Sequence, residues 1–301
     1  MTEIDMRPRT SAVALRNRKE ASPGAAARRR FRRNALAVGG VAVIAVVLIA
    51  VIAAPWLTPY TPEQIDLGAV RRPPSPEHLL GTDSVGRDVL TRLLHGGRVS
   101  LAVGLCAAVI AVTVGTIVGV VAGWAGGWVD TAITRIIDGF LVLPAVLVAI
   151  VLAGVLGPNI GMLIGVIAGL SWPSSARIAR SVVIGLRGEE FMQAAQVLGS
   201  RTLFVMRRHL VPFVLPHVTV AATLLVSEAI LLEAALSFLG VGVQPPTPSW
   251  GNMLTEAQSI TVLSSMPWLW IPTGLTIALT VLAAMVIGDG LRDALDPRKA
   301  R

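Results

Sequence analysis

Residues 190–212 read E-F-M-Q-A-A-Q-V-L-G-S-R-T-L-F-V-M-R-R-H-L-V-P. This polar stretch bears several arginines, and long apolar sequence flanks it on both sides. A helix needs about 20 predominantly apolar residues to cross the roughly 30 Å hydrocarbon core of a bilayer. The alternation of long apolar blocks with short charged segments therefore predicts helices that cross a membrane and are joined by loops outside it.

Six apolar blocks are candidates for membrane spans. Residues 160–170 are too short to cross alone, so we expect this helix to continue through Ser171-Trp172-Pro173, with a kink that membrane helices tolerate. Apolar residues make up 53% of the chain and charged residues 15%, unlike a soluble domain. The predicted fold class is an all-α polytopic membrane protein with six transmembrane helices. The other five blocks cover residues 35–54, 99–124, 139–156, 212–240 and 268–287.

Basic residues predict the orientation of these spans. Ten Lys/Arg precede the first span, and residues 173–211 hold six arginines against two glutamates. Residues 241–267 hold no basic residue. Since cytoplasmic loops are enriched in Lys and Arg, we expect both termini in the cytoplasm and residues 57–98 outside. The expected location is the plasma (inner) membrane.

The same pattern divides the chain into five segments. We expect a largely disordered basic tail over residues 1–33, a first transmembrane helix over 34–56, and an external segment with an amphipathic helix over 57–98. A five-helix core would follow over 99–288, including a cytoplasmic loop at 173–211, and a cytoplasmic tail over 289–301. Basic tails that directly adjoin a span favour contact with anionic membrane lipid over a role in binding nucleic acid.

The external segment contains H-L-L-G-T-D-S-V-G-R-D-V-L-T-R-L-L-H-G-G-R-V-S-L at residues 78–101. Thr82 or Asp83 can cap a helix start, and Gly96-Gly97 can end it. The spacing between them predicts an amphipathic helix at the outer membrane surface, with Asp88 and Arg92 as an i,i+4 pair.

A second external segment follows the apolar run that ends at Gly240. Residues 233–251 read E-A-A-L-S-F-L-G-V-G-V-Q-P-P-T-P-S-W-G. Its three prolines oppose any regular helix or central strand. We therefore expect a rigid external loop, anchored at the membrane interface by Trp250.

Two glutamates in or near the fifth span are candidate functional groups. Glu228 and Glu233 are five residues apart, which separates them by roughly 140° around a helix. They therefore do not form one stripe. A carboxylate inside a membrane is costly and suggests function, so Glu228 is a candidate for the translocation path. We expect Glu233 to lie near the solvated outer surface; for both, a protonated or hydrogen-bonded packing role is the alternative.

The chain lacks the usual signatures of enzymatic chemistry. A phosphate-binding loop needs G-x-x-x-x-G-K-[ST], whereas the two lysines, Lys19 and Lys299, lie in the tails. The four histidines show no metal-binding spacing, and Cys106 is the single cysteine. We therefore expect no catalytic residue, metal site or bound cofactor.

Three motifs together resemble a known family. The EAA loop of ABC-importer permeases reads E-A-A, three residues, Gly, nine residues, then I-x-L-P; residues 193–212 are similar to it, with Gln193 in place of Glu and His209 in place of Ile. Residues 81–92 resemble the G-T-D-x-x-G-R-D-V-L-S-R signature of dipeptide/oligopeptide importer permeases. Residues 233–251 and the ending G-D-G-L-R-D-A-L-D-P-R at 288–298 resemble the same permeases.

The resemblance implies a type I importer core in which residues 190–212 dock onto a separate ATPase. It implies a second homologous permease subunit, two ATPase subunits that hold ATP and Mg²⁺, and an external substrate-binding protein. Peptide is the implied cargo, with nickel or another small solute as an alternative. A polytopic membrane enzyme is the alternative from another class. The residues implied in ATPase coupling are Glu190, Gln193, Ala194, Ala195, Gly199, Arg201 and Pro212.

Overall fold

A computed structural model describes residues 23–190, 192 and 202–295. These residues form helices and connecting loops, and no β-strand occurs among them. The coupling residues Gln193, Ala194, Ala195, Gly199 and Arg201 lie outside the described residues. The eight longer helices are α1 (Pro23–Arg33), α2 (Ala35–Ile52), α3 (Val89–Ala125), α4 (Gly127–Val142), α5 (Ala145–Leu156), α6 (Ile160–Arg187), α7 (Val211–Phe238) and α8 (Ile271–Leu295).

Short polar side chains fix where several of these helices begin. Asn34 caps α2 by accepting a hydrogen bond from the Ala37 N–H at 3.1 Å. Asn159 caps α6 in the same way, through the Met162 N–H at 2.8 Å. Such caps satisfy N–H groups that have no partner within the helix. Shorter helical segments lie at Ala54–Leu57, Thr202–Val205, Met206–Leu210, Trp250–Met253 and Ile260–Ser265.

Five helices are long and apolar enough to cross a membrane, namely α2, α3, α6, α7 and α8. Helix α6 continues through Pro173 to Arg187, so the predicted extension of the short fourth block is confirmed. The third block is different, because α4 and α5 meet at a bend of 86° and form a sixth crossing only as a broken pair. Residues 139–156, predicted as one span, are therefore divided by this bend between the end of α4 and α5.

Pro144 explains the bend. A proline disfavours helical geometry at the residue before it, and Leu143 is extended, with φ −72° and ψ 130°. The residues on either side are apolar, so hydropathy alone gives no sign of the break.

The centre of the molecule is the close pairing of α3 with α6. Gly115, Gly119 and Gly123 recur every fourth residue on α3 and lie directly against α6. A Cβ atom at Gly119 would overlap the Ala176 carbonyl oxygen, and one at Gly123 would lie 2.9 Å from the Val183 Cβ. Small residues at this spacing let two helix backbones approach closely in a membrane.

The remaining helices surround this pair. Helix α7 packs between α3 and α8 and also touches α6, while α2 packs against α8. Arg98 of α3 donates hydrogen bonds of 2.9 Å to the carbonyl oxygens of Val51 and Ile52, which satisfies acceptors at the end of α2. Helix α1 lies against the end of α8, so the disorder predicted for residues 1–33 is wrong for residues 23–33. Residues 1–22 lie outside the described part of the chain.

The predicted external helix begins later than expected and does not end at the glycine pair. Asp88 caps the start of α3, and α3 then runs unbroken through Gly96 and Gly97. A Cβ atom at Gly96 would lie 3.2 Å from the Ser249 backbone, and one at Gly97 would lie 3.0 Å from the Trp250 ring. These glycines therefore make room for the second external loop instead of ending the helix.

Trp250 is fully buried and is not an interface anchor, which corrects the prediction. Its indole N–H donates to the Leu93 carbonyl oxygen at 3.0 Å, and its backbone N–H donates to Ser100 Oγ at 3.0 Å. A buried tryptophan needs such a partner for its N–H. The second external loop is thus held against α3 by side-chain packing and hydrogen bonds.

Candidate coupling and translocation site

The described ends of residues 190–212 are fastened to the spans by a buried apolar group, which we call the base cluster. Met192, Val205 and Leu210 each expose 1% of their surface or less. They pack against α3, α6 and the start of α7. The base cluster therefore connects the described ends of this segment with three of the long helices. The base cluster comprises Val120, Ala179, Val183, Met192, Val205, Leu210, Val214 and Val218.

Two of the predicted coupling residues are described by the structure. Glu190 is exposed just beyond the end of α6, and Pro212 is exposed in the first turn of α7. Phe204, which precedes Val205 in the same segment, exposes 57% of its surface. The segment thus has a buried apolar side that packs against the helices and an exposed side that is accessible to a partner protein.

The segment joins α7 through a wide helical turn. Residues Met206–Leu210 form a π-helical turn in which the Val211 N–H bonds to the Met206 carbonyl oxygen. Pro212 has no N–H and so cannot continue the ordinary i to i−4 hydrogen bonding. Single π-helical turns of this kind occur frequently at functional sites.

An ion pair that the sequence reasoning missed ties α4 to α6. The Arg180 guanidinium donates to both carboxylate oxygens of Asp130, at 2.5 and 2.7 Å. Such two-pronged pairs are the strongest and most directional hydrogen-bonded ion pairs. The signal that could have revealed the pair is a carboxylate and an arginine of opposite charge that flank predicted spans, Asp130 before residues 139–156 and Arg180 after Pro173.

Arg187 adds a second tie at the end of α6. Its guanidinium donates to the Gly123 carbonyl oxygen at 3.2 Å, near the end of α3. The adjacent turn contains Gly126 and Gly127, both with positive φ. A Cβ atom at Gly126 would lie 2.6 Å from Arg187 Nη1, so the guanidinium packs closely against this glycine. The α3–α4 turn is therefore held to the end of α6, next to Glu190.

The two candidate glutamates of α7 have different surroundings. Glu228 is exposed, consistent with a residue that borders a path. Glu233 is fully buried, so the expectation of a solvated group is wrong. Its carboxylate accepts hydrogen bonds of 2.7 Å from Ser100 Oγ and from Ser237 Oγ. Glu233 is a hydrogen-bonded packing group that connects α3 with α7.

The external motif forms a polar cluster and not an exposed amphipathic face. Asp83 pairs with Arg87 at 2.7 Å and with Arg92 at 3.5 Å, so the predicted pair between Asp88 and Arg92 side chains is wrong. Asp88 instead accepts hydrogen bonds of 2.7 Å from Thr91 and lies 2.9 Å from His78 Nδ1. Burial of these polar groups requires that they satisfy one another.

The polar cluster also joins residues 57–88 to the segment between α7 and α8. Ser84 donates through its hydroxyl group to the Glu256 carboxylate. Glu256 belongs to the segment between α7 and α8. These two segments are thus one structural unit, with a contact that spans 172 residues of sequence.

Two family profiles match this chain. Residues 115–301 match the binding-protein-dependent transport system inner membrane component. Residues 22–74 match the N-terminal TM domain of oligopeptide transport permease C. The first match includes α6, the base cluster and α7 in full, and the second includes α1 and α2.

Named relatives align over nearly the whole chain. A protein of Brucella suis biovar 1, provisionally named a peptide permease protein, is 43% identical over 96% of this chain and 98% of its own length. The oligopeptide transport system permease protein OppC of Escherichia coli strain K12 is 42% identical over 90% of each chain. The protein of that name from Haemophilus influenzae is 40% identical over 90% of this chain and 88% of its own length.

The base cluster, the bent α4–α5 pair and the long spans thus lie inside the aligned part of the chain. The alignments cover nearly all of this chain and of each relative. The chain belongs to the family of inner membrane components of binding-protein-dependent transport systems.

Proposed function

We propose that this chain is a permease subunit of an ATP-driven importer that carries dipeptides or oligopeptides across the plasma membrane. The printed names of the relatives from Brucella suis and Escherichia coli support peptide as the cargo. The G-T-D-S-V-G-R-D-V-L-T-R stretch at residues 81–92 supports the same cargo through its resemblance to peptide-importer permeases. Family membership does not favour the alternative of a polytopic membrane enzyme.

Both termini lie in the cytoplasm in this proposal, and residues 57–88 and 239–270 lie outside. The distribution of basic residues supports this orientation. The six crossings counted with the bent α4–α5 pair bring the chain back to the side where it began. Segment 190–212 then lies on the cytoplasmic side.

The permease would work with a second, similar permease, two ATPase subunits and an external binding protein. ATP and Mg²⁺ would be held by the ATPase subunits, because this chain has no lysine outside its tails with which to form a phosphate-binding loop. Its own described residues contain no group of three or more His, Cys, Asp or Glu that could hold a metal ion.

The observation that carries the coupling proposal is the base cluster. Met192, Val205 and Leu210 fix the described ends of segment 190–212 to α3, α6 and α7. A force applied by an ATPase to the exposed side of this segment would reach the spans directly. Access to the translocation path would then alternate between the two sides of the membrane, with the ATPase and the path as two distinct coupled sites.

Gly199→Leu tests this coupling. Glycine permits backbone conformations and close approaches that leucine does not, so we expect peptide uptake to be lost and ATP hydrolysis to lose its stimulation by the loaded binding protein. The complete transporter, reconstituted in vesicles, should show an unchanged amount of each subunit. Uptake at the wild-type rate would mean that segment 190–212 is only a connector.

Thr261→Ala is the matched control, because Thr261 is exposed in the external segment away from segment 190–212. We expect normal uptake and normal stimulation in this variant. Cargo is tested in the same vesicles by comparing labelled peptides with Ni²⁺. ATP-dependent Ni²⁺ uptake without peptide uptake would replace peptide by the alternative cargo.

A further inference from the structure

Helix α7 has one side that the rest of the described chain does not cover. Phe213, His217, Leu224, Glu228 and Leu231 are all exposed. Their spacing of four, seven, four and three residues places them on a single side of a helix. We call this set the open stripe of α7. Other sides of α7 contact α3, α6 and α8, although Leu215 and Thr219 near its start are also exposed.

The open stripe differs in composition from the exposed faces of α2, α3 and α8. Within residues 35–52, 99–124 and 271–287, the exposed positions include no Asp, Glu, Lys, Arg or His. Apolar faces of this kind suit contact with lipid tails. The open stripe instead carries a carboxylate and an imidazole, groups that are costly against lipid and mark ion or substrate pathways.

Glu228 lies deep in the membrane by its position along the helix. It is ten residues before the end of α7 at Phe238, which corresponds to about 15 Å along the axis. That is about half of the roughly 30 Å hydrocarbon core of a bilayer. An exposed carboxylate at this depth needs water or a cation beside it.

The described part of the chain does not supply that cation. Among residues 23–190, 192 and 202–295, none of the ion pairs and none of the side-chain hydrogen bonds involves Glu228. Glu233, five residues away, differs because Ser100 of α3 and Ser237 of α7 both donate to its carboxylate.

We propose that Glu228 binds the free α-ammonium group of the peptide as it passes through the membrane. This inference rests on the proposed peptide-import function and gives the cargo a chemical requirement, a cationic amino terminus. A carboxylate and an ammonium group form a charge-assisted hydrogen bond. His217 lies eleven residues earlier on the same stripe, about 16 Å nearer the cytoplasmic end of α7, so the polar lining continues beyond Glu228.

The first test measures whether the open stripe is accessible to water and whether Glu228 makes its surroundings negatively charged. Leu231→Cys, in a Cys106→Ala background, should react with water-soluble methanethiosulfonates, and the cationic reagent should react faster than the anionic one. Adding Glu228→Gln should abolish that preference. Leu279→Cys, on the apolar exposed face of α8, should remain unreactive. An unreactive Leu231→Cys, or an unchanged preference in Glu228→Gln, would overturn the inference.

The second test uses the complete transporter and two peptides that its binding protein captures equally well, one with a free amino terminus and one acetylated there. Glu228→Gln should lower uptake of the free peptide about tenfold relative to the acetylated one, the size of one hydrogen bond to a charged group. Glu228→Asp should keep part of the preference. Leu224→Gln, which adds a polar group to the same stripe without removing charge, should leave it unchanged.

The outcomes separate this inference from the proposed function. If the wild-type transporter imports neither peptide, the peptide-import proposal fails, and the inference fails with it. If the wild-type transporter imports both peptides, and Glu228→Gln lowers the uptake of both equally or of neither, the inference alone fails. If Glu228→Gln reduces the amount of assembled complex, Glu228 pairs with a neighbouring subunit, and the ammonium site is likewise excluded.

Discussion

At the scale of single residues, buried polar groups connect the helices where apolar packing alone would not fix their positions. The Glu233 carboxylate receives one hydroxyl group from α3 and one from its own helix. Ser100 also accepts the Trp250 N–H, so the same serine holds the second external loop. The loss of Glu233 would leave both hydroxyl groups without their acceptor.

We therefore predict that Glu233→Ala lowers the free energy of unfolding by about 1–3 kcal/mol, the usual cost of unsatisfied buried polar groups. Glu233→Gln should lose less, because its amide can accept from one serine and donate to the other. Thermal unfolding of the purified protein in detergent should rank wild type above Glu233→Gln and Glu233→Ala lowest. The exposed Glu189→Gln serves as the control, and equal melting temperatures for all four proteins would contradict the assignment.

At the scale of elements, the α3–α6 contact depends on small residues at defined positions. Gly119 lies where even a methyl group would meet the backbone oxygen of Ala176. Gly165 of α6 is also a helical glycine, but no other group lies within 4 Å of its Cβ position. The two glycines have the same backbone geometry and opposite packing.

Gly119→Ala should therefore destabilise the protein by about 1–3 kcal/mol through overpacking, whereas Gly165→Ala should be neutral or stabilising by up to about 1 kcal/mol through helix propensity. Retention of the folded protein after heating, measured by size-exclusion chromatography, distinguishes the two variants. If they behave alike, the α3–α6 contact is looser than the packing indicates.

At the scale of the whole molecule, the chain is a multi-pass protein of the inner membrane that works with other subunits of an ABC transporter. Two structural units lie at opposite ends of the spans. One contains the base cluster and the hydrogen bonds that Arg180 and Arg187 donate to neighbouring helices. The other contains the polar cluster of residues 78–92, where Ser84 contacts Glu256.

The orientation of these two ends gives a further prediction. Ala25→Cys and Thr61→Cys, each in a Cys106→Ala background, place an exposed thiol near each end. We expect an impermeant thiol reagent to label Thr61→Cys in intact cells and Ala25→Cys only after permeabilisation, because basic segments remain in the cytoplasm. Labelling of Ala25→Cys alone in intact cells would invert the proposed orientation and place segment 190–212 outside.

The sequence by itself determined the class of the fold, the existence of the long spans and the family to which the chain belongs. These properties follow from local quantities: the length of an apolar block, a proline, or a motif such as residues 81–92. It also indicated that α6 continues through Pro173.

Where a property depended on contacts between residues that are distant in sequence, the sequence interpretation was wrong. It assigned Trp250 to the membrane interface, Arg92 to Asp88 and Glu233 to solvent. The tertiary structure decided these cases, because it buries Trp250 against α3, brings Asp83 to Arg92 and places Ser100 beside Glu233. Hydrophobic length is a property of neighbouring residues and can be read along the chain. A hydrogen-bond partner 133 residues away, as Ser100 is from Glu233, is fixed only when the helices have packed.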